Sequence, residues 1–142
     1  MTAGATGGQI VARTLRRLGA EIIFSVSGNQ VLPVYDAAGD AGLRIIHMRH
    51  ESAAAYAAAA HAELTGQPGV ALTSAGPGFL AGLTGVAVAR SMELPLLYLS
   101  GAAPLALRNM GAFQDLDQKR IGMTAWCETQ KARLAGFIRT GN

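Results

Sequence analysis

Two hydrophobic patterns alternate along most of the chain. Short runs of consecutive apolar residues predict buried strands, and apolar residues that recur every three or four positions predict helices. The predicted strands are residues 21–26, 43–48, 70–74 and 94–100. The predicted helices are residues 8–18, 32–41, 51–64, 79–92, 114–120 and 131–139. Residues 102–111 are predicted to form an irregular loop.

This alternation predicts the α/β class, in which a doubly wound, mostly parallel sheet of about five strands lies between two helical layers. A length of 142 residues predicts one domain, spanning 1–142. Half of the residues are hydrophobic and only 15% are charged, which argues for a tightly packed domain and against disorder. So few charges cover a surface poorly, and we therefore expect a buried contact with another chain or domain.

Neither nucleic acid nor a membrane is an expected partner. The net charge is +3, and the nearest basic cluster is Arg13, Arg16 and Arg17. This cluster lacks interleaved aromatic residues, so a solvated helix face explains it better than nucleic-acid binding. The most apolar stretch, residues 78–89, is shorter than the roughly 20 residues that span a bilayer.

The amino terminus and the single cysteine indicate the cellular compartment. Residues 1–8 show neither the charged nor the apolar segment of a signal peptide. Cys127 is the only cysteine, which excludes a disulfide framework and favours a reducing compartment. We expect Cys127 to be a small half-buried hydrophobe rather than a nucleophile. Together these features predict a cytoplasmic protein.

Glu51 is the first candidate for chemistry. It lies where a predicted strand passes into a predicted helix, which is where α/β folds keep their ligand crevice. A carboxylate in the first helical turn also has a purely structural explanation, the helix dipole. Small apolar neighbours follow, and a carboxyl group buried among them can share a proton with a ring nitrogen. The adjacent His50 either orients this carboxylate or a substrate, or is a core or interface histidine.

A second strand-to-helix switch carries Gly76-Pro77-Gly78. Backbone without side chains at a helix amino terminus lets a flat or anionic ligand approach, although the same segment can be a bare turn. No complete dinucleotide or phosphate-loop motif occurs. Asp115 and Asp117 have no third metal ligand within loop reach, so we expect a solvated acidic turn there and no metal site.

Short motifs follow one another between residues 8 and 126. They are Phe24 with a turn at Gly28, Val31-Leu32-Pro33, Arg49-His50-Glu51, Thr65-Gly66, Thr73-Ser74 before Gly76-Pro77-Gly78, Pro95-Leu96-Leu97, and Ala112-Phe113-Gln114-Asp115. In this order they resemble the pyrimidine-binding, amino-terminal domain of thiamine diphosphate enzymes of the acetolactate synthase type.

The resemblance implies a role for each matching residue. Glu51 would hydrogen-bond the pyrimidine nitrogen N1′, and its proton exchange would favour the imino form of the 4′-amino group, which generates the nucleophile. Gly28, Pro77 and Gly78 would line the pyrimidine ring. Gln114 would face the reacting centre, so Glu51 and Gln114 are the expected catalytic residues.

Some positions depart from the family. Ala59, Ala60 and Ala81 stand where relatives carry other side chains, which implies weaker cofactor binding. The Gly-Asp-Gly motif that binds magnesium and diphosphate is missing from the sequence. The resemblance therefore implies that thiamine diphosphate is shared with a partner chain or domain and that magnesium binds only through that partner. We also expect the domain to lack its closing strand at the carboxyl end.

The leading functional hypothesis is the pyrimidine half of a lyase or transferase that acts on 2-keto acids or related acyl donors. The alternative is a non-catalytic interaction module, degenerate or truncated, and a flavodoxin-like nucleotide binder comes third. Helices 51–64 and 79–92 are rich in small residues and should bury against another chain, either a second copy or a diphosphate-binding subunit. Alone, the chain should self-associate and bind the cofactor weakly.

Overall fold

The structure is a computed structural model that describes residues 4–107 and 110–125. The predicted helix at 131–139 and Cys127 lie outside these residues. The described elements, in chain order, are α1 (Gly7–Arg17), β1 (Ile22–Ser25), α2 (Leu32–Ala38), β2 (Arg44–His47), α3 (Glu51–Thr65), β3 (Gly69–Thr73), α4 (Pro77–Ser91), β4 (Leu96–Ser100), a 3-10 turn (Leu105–Leu107) and α5 (Gln118–Ala125).

The four strands form one parallel sheet in the order β2-β1-β3-β4. The chain first moves outward from β1 to β2 and then returns past β1 to β3, so the winding direction reverses between β1 and β3. In open α/β sheets this reversal opens a crevice at the carboxyl ends of the two central strands. The fold class predicted from the sequence is confirmed, with four strands in the described residues where about five were expected.

Each strand sends alternate side chains to opposite faces of the sheet, as the two-residue period of a strand requires. Ile23, Val70 and Leu72 pack with α1 and α2 on one face. Phe24 and Ala71 pack with α3 and α4 on the other. The predicted arrangement of three layers is therefore confirmed.

The helix ends follow local chemistry. At the start of α1, Thr6 accepts a hydrogen bond from the Gln9 backbone, and the Gln9 side chain returns one to Thr6, which is a capping box. At the end of α3, Gly66 adopts a φ of 70°, a left-handed conformation that glycine reaches without a Cβ clash. Such signals explain why the predicted bounds of α1 and α3 agree with the observed ones.

Two predicted helices had wrong bounds, and the first of them, predicted at 32–41, ends at Ala38. The helix predicted at 114–120 begins instead at Gln118, because Asp117 Oδ1 accepts a hydrogen bond from the Arg120 backbone and caps it there. Gln114 has a φ of 64° and so cannot be helical. The loop predicted at 102–111 contains the 3-10 turn, in which the Leu107 amide donates to the Pro104 carbonyl.

Candidate functional site

Glu51 is the first residue of α3 and lies beyond the carboxyl end of β2. Its predecessor, His50, is extended and caps the helix, because His50 Nδ1 accepts from the Ser52 amide at 3.2 Å. The Glu51 side chain is half-buried rather than buried as the sequence suggested. Among the described residues no donor bonds its carboxylate. The Glu51 carboxylate is therefore free to accept a hydrogen bond from a ligand, at the positive end of the helix dipole.

Gly78 adjoins this carboxylate from the first turn of α4. A Cβ atom placed on Gly78 would lie 3.1 Å from Glu51 Oε1 and 3.4 Å from Ser74 Cβ. Glu51 and Ser74 thus converge on one bare stretch of backbone. A side chain at position 78 would press on the carboxylate, which gives a physical reason for glycine there.

The turn after β1 meets the turn after β3 at Gly28. A Cβ atom on Gly28 would overlap the Ser74 hydroxyl, so these turns touch only because residue 28 is glycine. This contact lies at the β1/β3 reversal, where the topology predicts a crevice. The resemblance assigned Gly28, Glu51 and Gly78 to the cofactor. Gly28 lies against Ser74, and Gly78 lies against both Ser74 and Glu51.

Gln114 reaches the same edge of the sheet from the loop after β4. Its backbone lies on Gly76, where a Cβ atom would be 2.8 Å from Gln114 Cβ. Gly76 has a φ of 60° and a ψ of −118°, and no Cβ-bearing residue would fit against the Gln114 backbone. The Gln114 side-chain oxygen accepts from Gln30 Nε2 at 2.9 Å, and Gln30 Oε1 accepts from the Ser74 hydroxyl at 2.8 Å.

Gln118 fastens the start of α5 to the sheet. Its oxygen accepts from the Gly76 amide at 3.1 Å, and its nitrogen donates to the Gly101 carbonyl at 2.9 Å and to Ser100 Oγ at 3.1 Å. Ser100 in turn donates to the Ser74 carbonyl at 2.8 Å. Two residues after β4 therefore contact Gly76 in the turn between β3 and α4: Gln114 by packing and Gln118 by a hydrogen bond.

Tyr98 lies beneath the α4 turn. Its hydroxyl bonds the Phe79 carbonyl and Thr73 Oγ1, each at 2.9 Å. Burial raises the pKa of Tyr98 to about 12; the Thr73 bond lowers that pKa and the nearby Glu51 charge raises it further. The hydroxyl occupies the space that a side chain on Gly82 would fill. Tyr98 therefore holds the first turn of α4, in which the Gly78 backbone adjoins Glu51.

The structure thus gathers four of the predicted site residues around one crevice edge. Glu51, Gly28 and Gly78 converge near Ser74, and Gln114 joins them through the Gln30 bridge. Pro77 is the exposed first residue of α4.

Sequence reasoning did not single out Gln30, Gln118 or Tyr98, which the structure places in the hydrogen bonds around these turns. A polar residue directly after a tight turn, as at Gln30, was the available signal. Nothing in the pattern marked Tyr98, because a tyrosine in an apolar strand looks like ordinary core.

The acidic turn shows a structural role. Asp117 is exposed and caps α5, as described above, and Asp115 is half-buried. Within residues 4–107 and 110–125, no group of three histidine, cysteine, aspartate or glutamate side chains is placed to hold a metal ion. Across the same residues, no helix combines the length and the apolar character needed to cross a membrane.

Comparison with known proteins identifies the family. Residues 5–121 match the family described as thiamine pyrophosphate enzyme, N-terminal TPP binding domain. Since the match covers most of the chain, this protein belongs to that family, and the resemblance drawn from the motifs is confirmed.

Individual relatives include two kinds of enzyme. The acetolactate synthase large subunit IlvG of Mycobacterium tuberculosis is 38% identical over 138 residues, which are 92% of this chain and 24% of that protein. The 2-hydroxyacyl-CoA lyase 2 of Danio rerio is 43% identical over 115 residues, 81% of this chain and 18% of that protein. The human 2-hydroxyacyl-CoA lyase 2 is 42% identical over 112 residues, 79% and 18% respectively. The chain spans less than a quarter of the length of each.

Proposed function

We propose that this domain binds the aminopyrimidine ring of thiamine diphosphate and that Glu51 exchanges a proton with ring nitrogen N1′. One observation carries the proposal. The Glu51 carboxylate lies against bare backbone at Gly78, at the edge where the sheet reverses, and no donor among the described residues uses its acceptor capacity. A flat ring with a basic nitrogen suits such a group, and the residues present therefore fit the cofactor.

Each residue would have a separate task. Glu51 would hold a proton and exchange it with the ring nitrogen, acting as a general acid and base. The backbone at Gly28, Pro77 and Gly78 would line the ring, and Gln114 would face the reacting centre. When bound, thiamine diphosphate supplies a carbon nucleophile that adds to a carbonyl carbon and stabilises the negative charge that develops. The protein orients the ring and controls the proton.

The proposed reaction is that of a lyase or transferase acting on 2-keto acids or related acyl donors. Support comes from the relatives, which are named as acetolactate synthases and as 2-hydroxyacyl-CoA lyases. We infer synthase or lyase chemistry of the same kind for the enzyme to which this domain contributes.

We further infer that the cofactor is shared with a partner chain or domain, which holds the diphosphate and the magnesium ion. The outer surface of α3 and α4 offers a place for such a partner or for a second copy. Tyr56, Leu64 and Leu80 on these helices are 44%, 86% and 42% exposed. Exposed apolar side chains on neighbouring helices are typical of interaction surfaces. A two-fold arrangement would bury them on both copies.

Reconstitution tests the proposal. The chain is mixed with a candidate diphosphate-binding partner, thiamine diphosphate and magnesium, and cleavage of pyruvate and of a 2-hydroxyacyl-CoA is measured. We expect a complex on size exclusion and turnover that requires the chain, the partner and the cofactor together. Samples that lack one component are the controls. A complex that forms but never turns over any acyl donor would contradict the catalytic role and leave a binding module.

A further inference from the structure

Gln30 joins two turns that the topology brings to the same edge of the sheet. It lies in the turn after β1, where its side-chain oxygen accepts from Ser74 Oγ at 2.8 Å. Its side-chain nitrogen donates to Gln114 Oε1 at 2.9 Å. Gln30 is the member of this chain of contacts that touches both Ser74, beside Gly78 and Glu51, and Gln114.

The structure places the two amides so that each of them uses its oxygen as an acceptor within this chain of contacts. A glutamine side chain has an oxygen that only accepts and a nitrogen that only donates. With the Gln30 oxygen accepting from Ser74, the Gln30 nitrogen points to residue 114 and donates to the Gln114 oxygen. The Gln114 nitrogen then finds no acceptor among the described residues, and its N–H groups remain for a ligand.

The Gln114 backbone is held as firmly as its side chain. Its φ of 64° lies in the left-handed region, which residues other than glycine adopt uncommonly. Its backbone directly contacts the bare backbone of Gly76, whose amide donates a hydrogen bond to the Gln118 side chain. An uncommon backbone conformation fixed by close contacts is typical of functional sites.

We propose that Gln30 is a positioning residue, which holds the Gln114 amide with its N–H groups toward the reacting centre. In that orientation Gln114 favours substrates that offer an oxygen acceptor beside the reacting carbon, such as the carboxylate of a 2-keto acid or the carbonyl of an acyl donor. The inference rests on the proposed function, since it takes Gln114 to face the substrate. Its first part concerns only the free protein and is testable without turnover.

The first experiment measures coupling in the full chain. Gln30→Met, Gln114→Met and the double variant are compared by thermal unfolding, because methionine keeps the length of the side chain and removes both hydrogen bonds. We expect the double variant to melt close to the less stable single variant, since either change breaks the same bond. Gln67→Met is the matched control: Gln67 is exposed, and its effect should add to that of Gln114→Met.

The second experiment measures substrate recognition in the reconstituted enzyme with Gln30→Glu. A carboxylate accepts from Ser74 and also from residue 114, so it forces the Gln114 amide to turn and presents an oxygen to the substrate. We expect KM for the acyl donor to rise by about tenfold, the ratio that one misplaced hydrogen bond gives. We expect kcat and the affinity for thiamine diphosphate to stay within about threefold. Gln30→Met, which leaves the amide unconstrained, should raise KM less.

The outcomes distinguish the positioning role of Gln30 from its effect on substrate binding and from the proposed function. Additive melting effects for Gln30→Met and Gln114→Met would overturn the positioning role, whatever the activity. Coupled melting with an unchanged KM in Gln30→Glu would overturn the substrate part. If the wild-type assembly shows no turnover while the melting effects couple, the proposed function fails and the orientation of the Gln114 amide stands.

Discussion

The two faces of the sheet are packed by opposite means. The face that meets α1 and α2 is filled by branched and long apolar side chains, among them Leu15, Ile23 and Leu72. The buried residues on the face that meets α3 and α4 are mostly alanines, and its helices approach so closely that a Cβ on Gly85 would lie 2.5 Å from Ala55 Cβ. Glu51 and Gly78 lie in the first turns of these two closely packed helices.

This difference indicates a division of labour within the domain. Large side chains bury much apolar area and so contribute most of the hydrophobic free energy of folding. Small side chains contribute less area but let backbones approach, which brings the amino termini of α3 and α4 together at the crevice. Stability therefore depends mainly on the first face, and the geometry of the site on the second.

The largest effect on stability should follow truncation on the α1/α2 face. Ile23 is fully buried, so Ile23→Ala should lower the free energy of unfolding by about 2–5 kcal/mol through lost contacts and a cavity. Urea denaturation measures it. Ala58→Gly, at an equally buried site on the α3/α4 face, should cost only about 1–2 kcal/mol, from the difference in helix propensity and the loss of one buried methyl group. Equal losses of unfolding free energy at the two sites would contradict the claim that stability depends mainly on the α1/α2 face.

A larger side chain at the contact between α3 and α4 should lower the free energy of unfolding. Gly85→Ala would press its new Cβ on Ala55 and on the Tyr56 backbone nitrogen 2.9 Å away, and we expect a loss of about 1–3 kcal/mol. Gly39→Ala is the control, because nothing lies within 4 Å of its Cβ position and its φ is −59°; it should be neutral or stabilising by up to about 1 kcal/mol.

The same variant also tests how the contact between α3 and α4 affects cofactor binding. Gly85→Ala should weaken thiamine diphosphate binding in the reconstituted enzyme, because it separates α3 from α4 and moves Glu51 relative to Gly78. Ile23→Val should cost about 0.5–1.5 kcal/mol of unfolding free energy, which overlaps the lower part of the range for Gly85→Ala, and should leave that affinity unchanged. Isothermal titration measures both variants. If both variants lost the same affinity for thiamine diphosphate, cofactor binding would depend only on the overall stability of the domain.

The smallest expected effect concerns Tyr98 at high pH. Its pKa in the folded protein is raised to about 12 from 10.0, so the unfolded chain loses this proton first. The stabilisation is complete below pH 10 and is lost as pH rises toward 12. We expect the free energy of unfolding to fall by about 1–2 kcal/mol across this window, and Tyr98→Phe to flatten that part of the curve. A curve that is unchanged by Tyr98→Phe would show that its hydroxyl is not held as described.

The sequence predicted the elements because their signals are local. Hydrophobic period, the glycine after α3 and the proline that opens α4 each act within a few residues. The Gly76-Pro77-Gly78 turn and Glu51 were found in this way, since both lie at strand-to-helix switches.

The contacts between turns could not be predicted from the same signals. The Gln30–Gln114 hydrogen bond joins residues 84 positions apart, and the Thr73–Tyr98 bond depends on the register of β3 against β4. The start of α5 was also misplaced, because the left-handed backbone of Gln114 is imposed by packing on Gly76. Long-range packing sets such features.

The central claim, that Glu51 controls the proton on the pyrimidine ring, is tested most directly by isotope exchange. In the reconstituted enzyme in D2O, the loss of the thiazolium C2 proton of thiamine diphosphate is followed by NMR after acid quenching, without any substrate. Glu51→Gln should slow this exchange by about 10²–10⁴-fold, the usual contribution of a general acid–base residue, while complex formation and cofactor affinity persist. Glu63→Gln, on the exposed side of the same helix, should exchange like the wild type. Exchange at the wild-type rate in Glu51→Gln, with cofactor bound, would contradict the account.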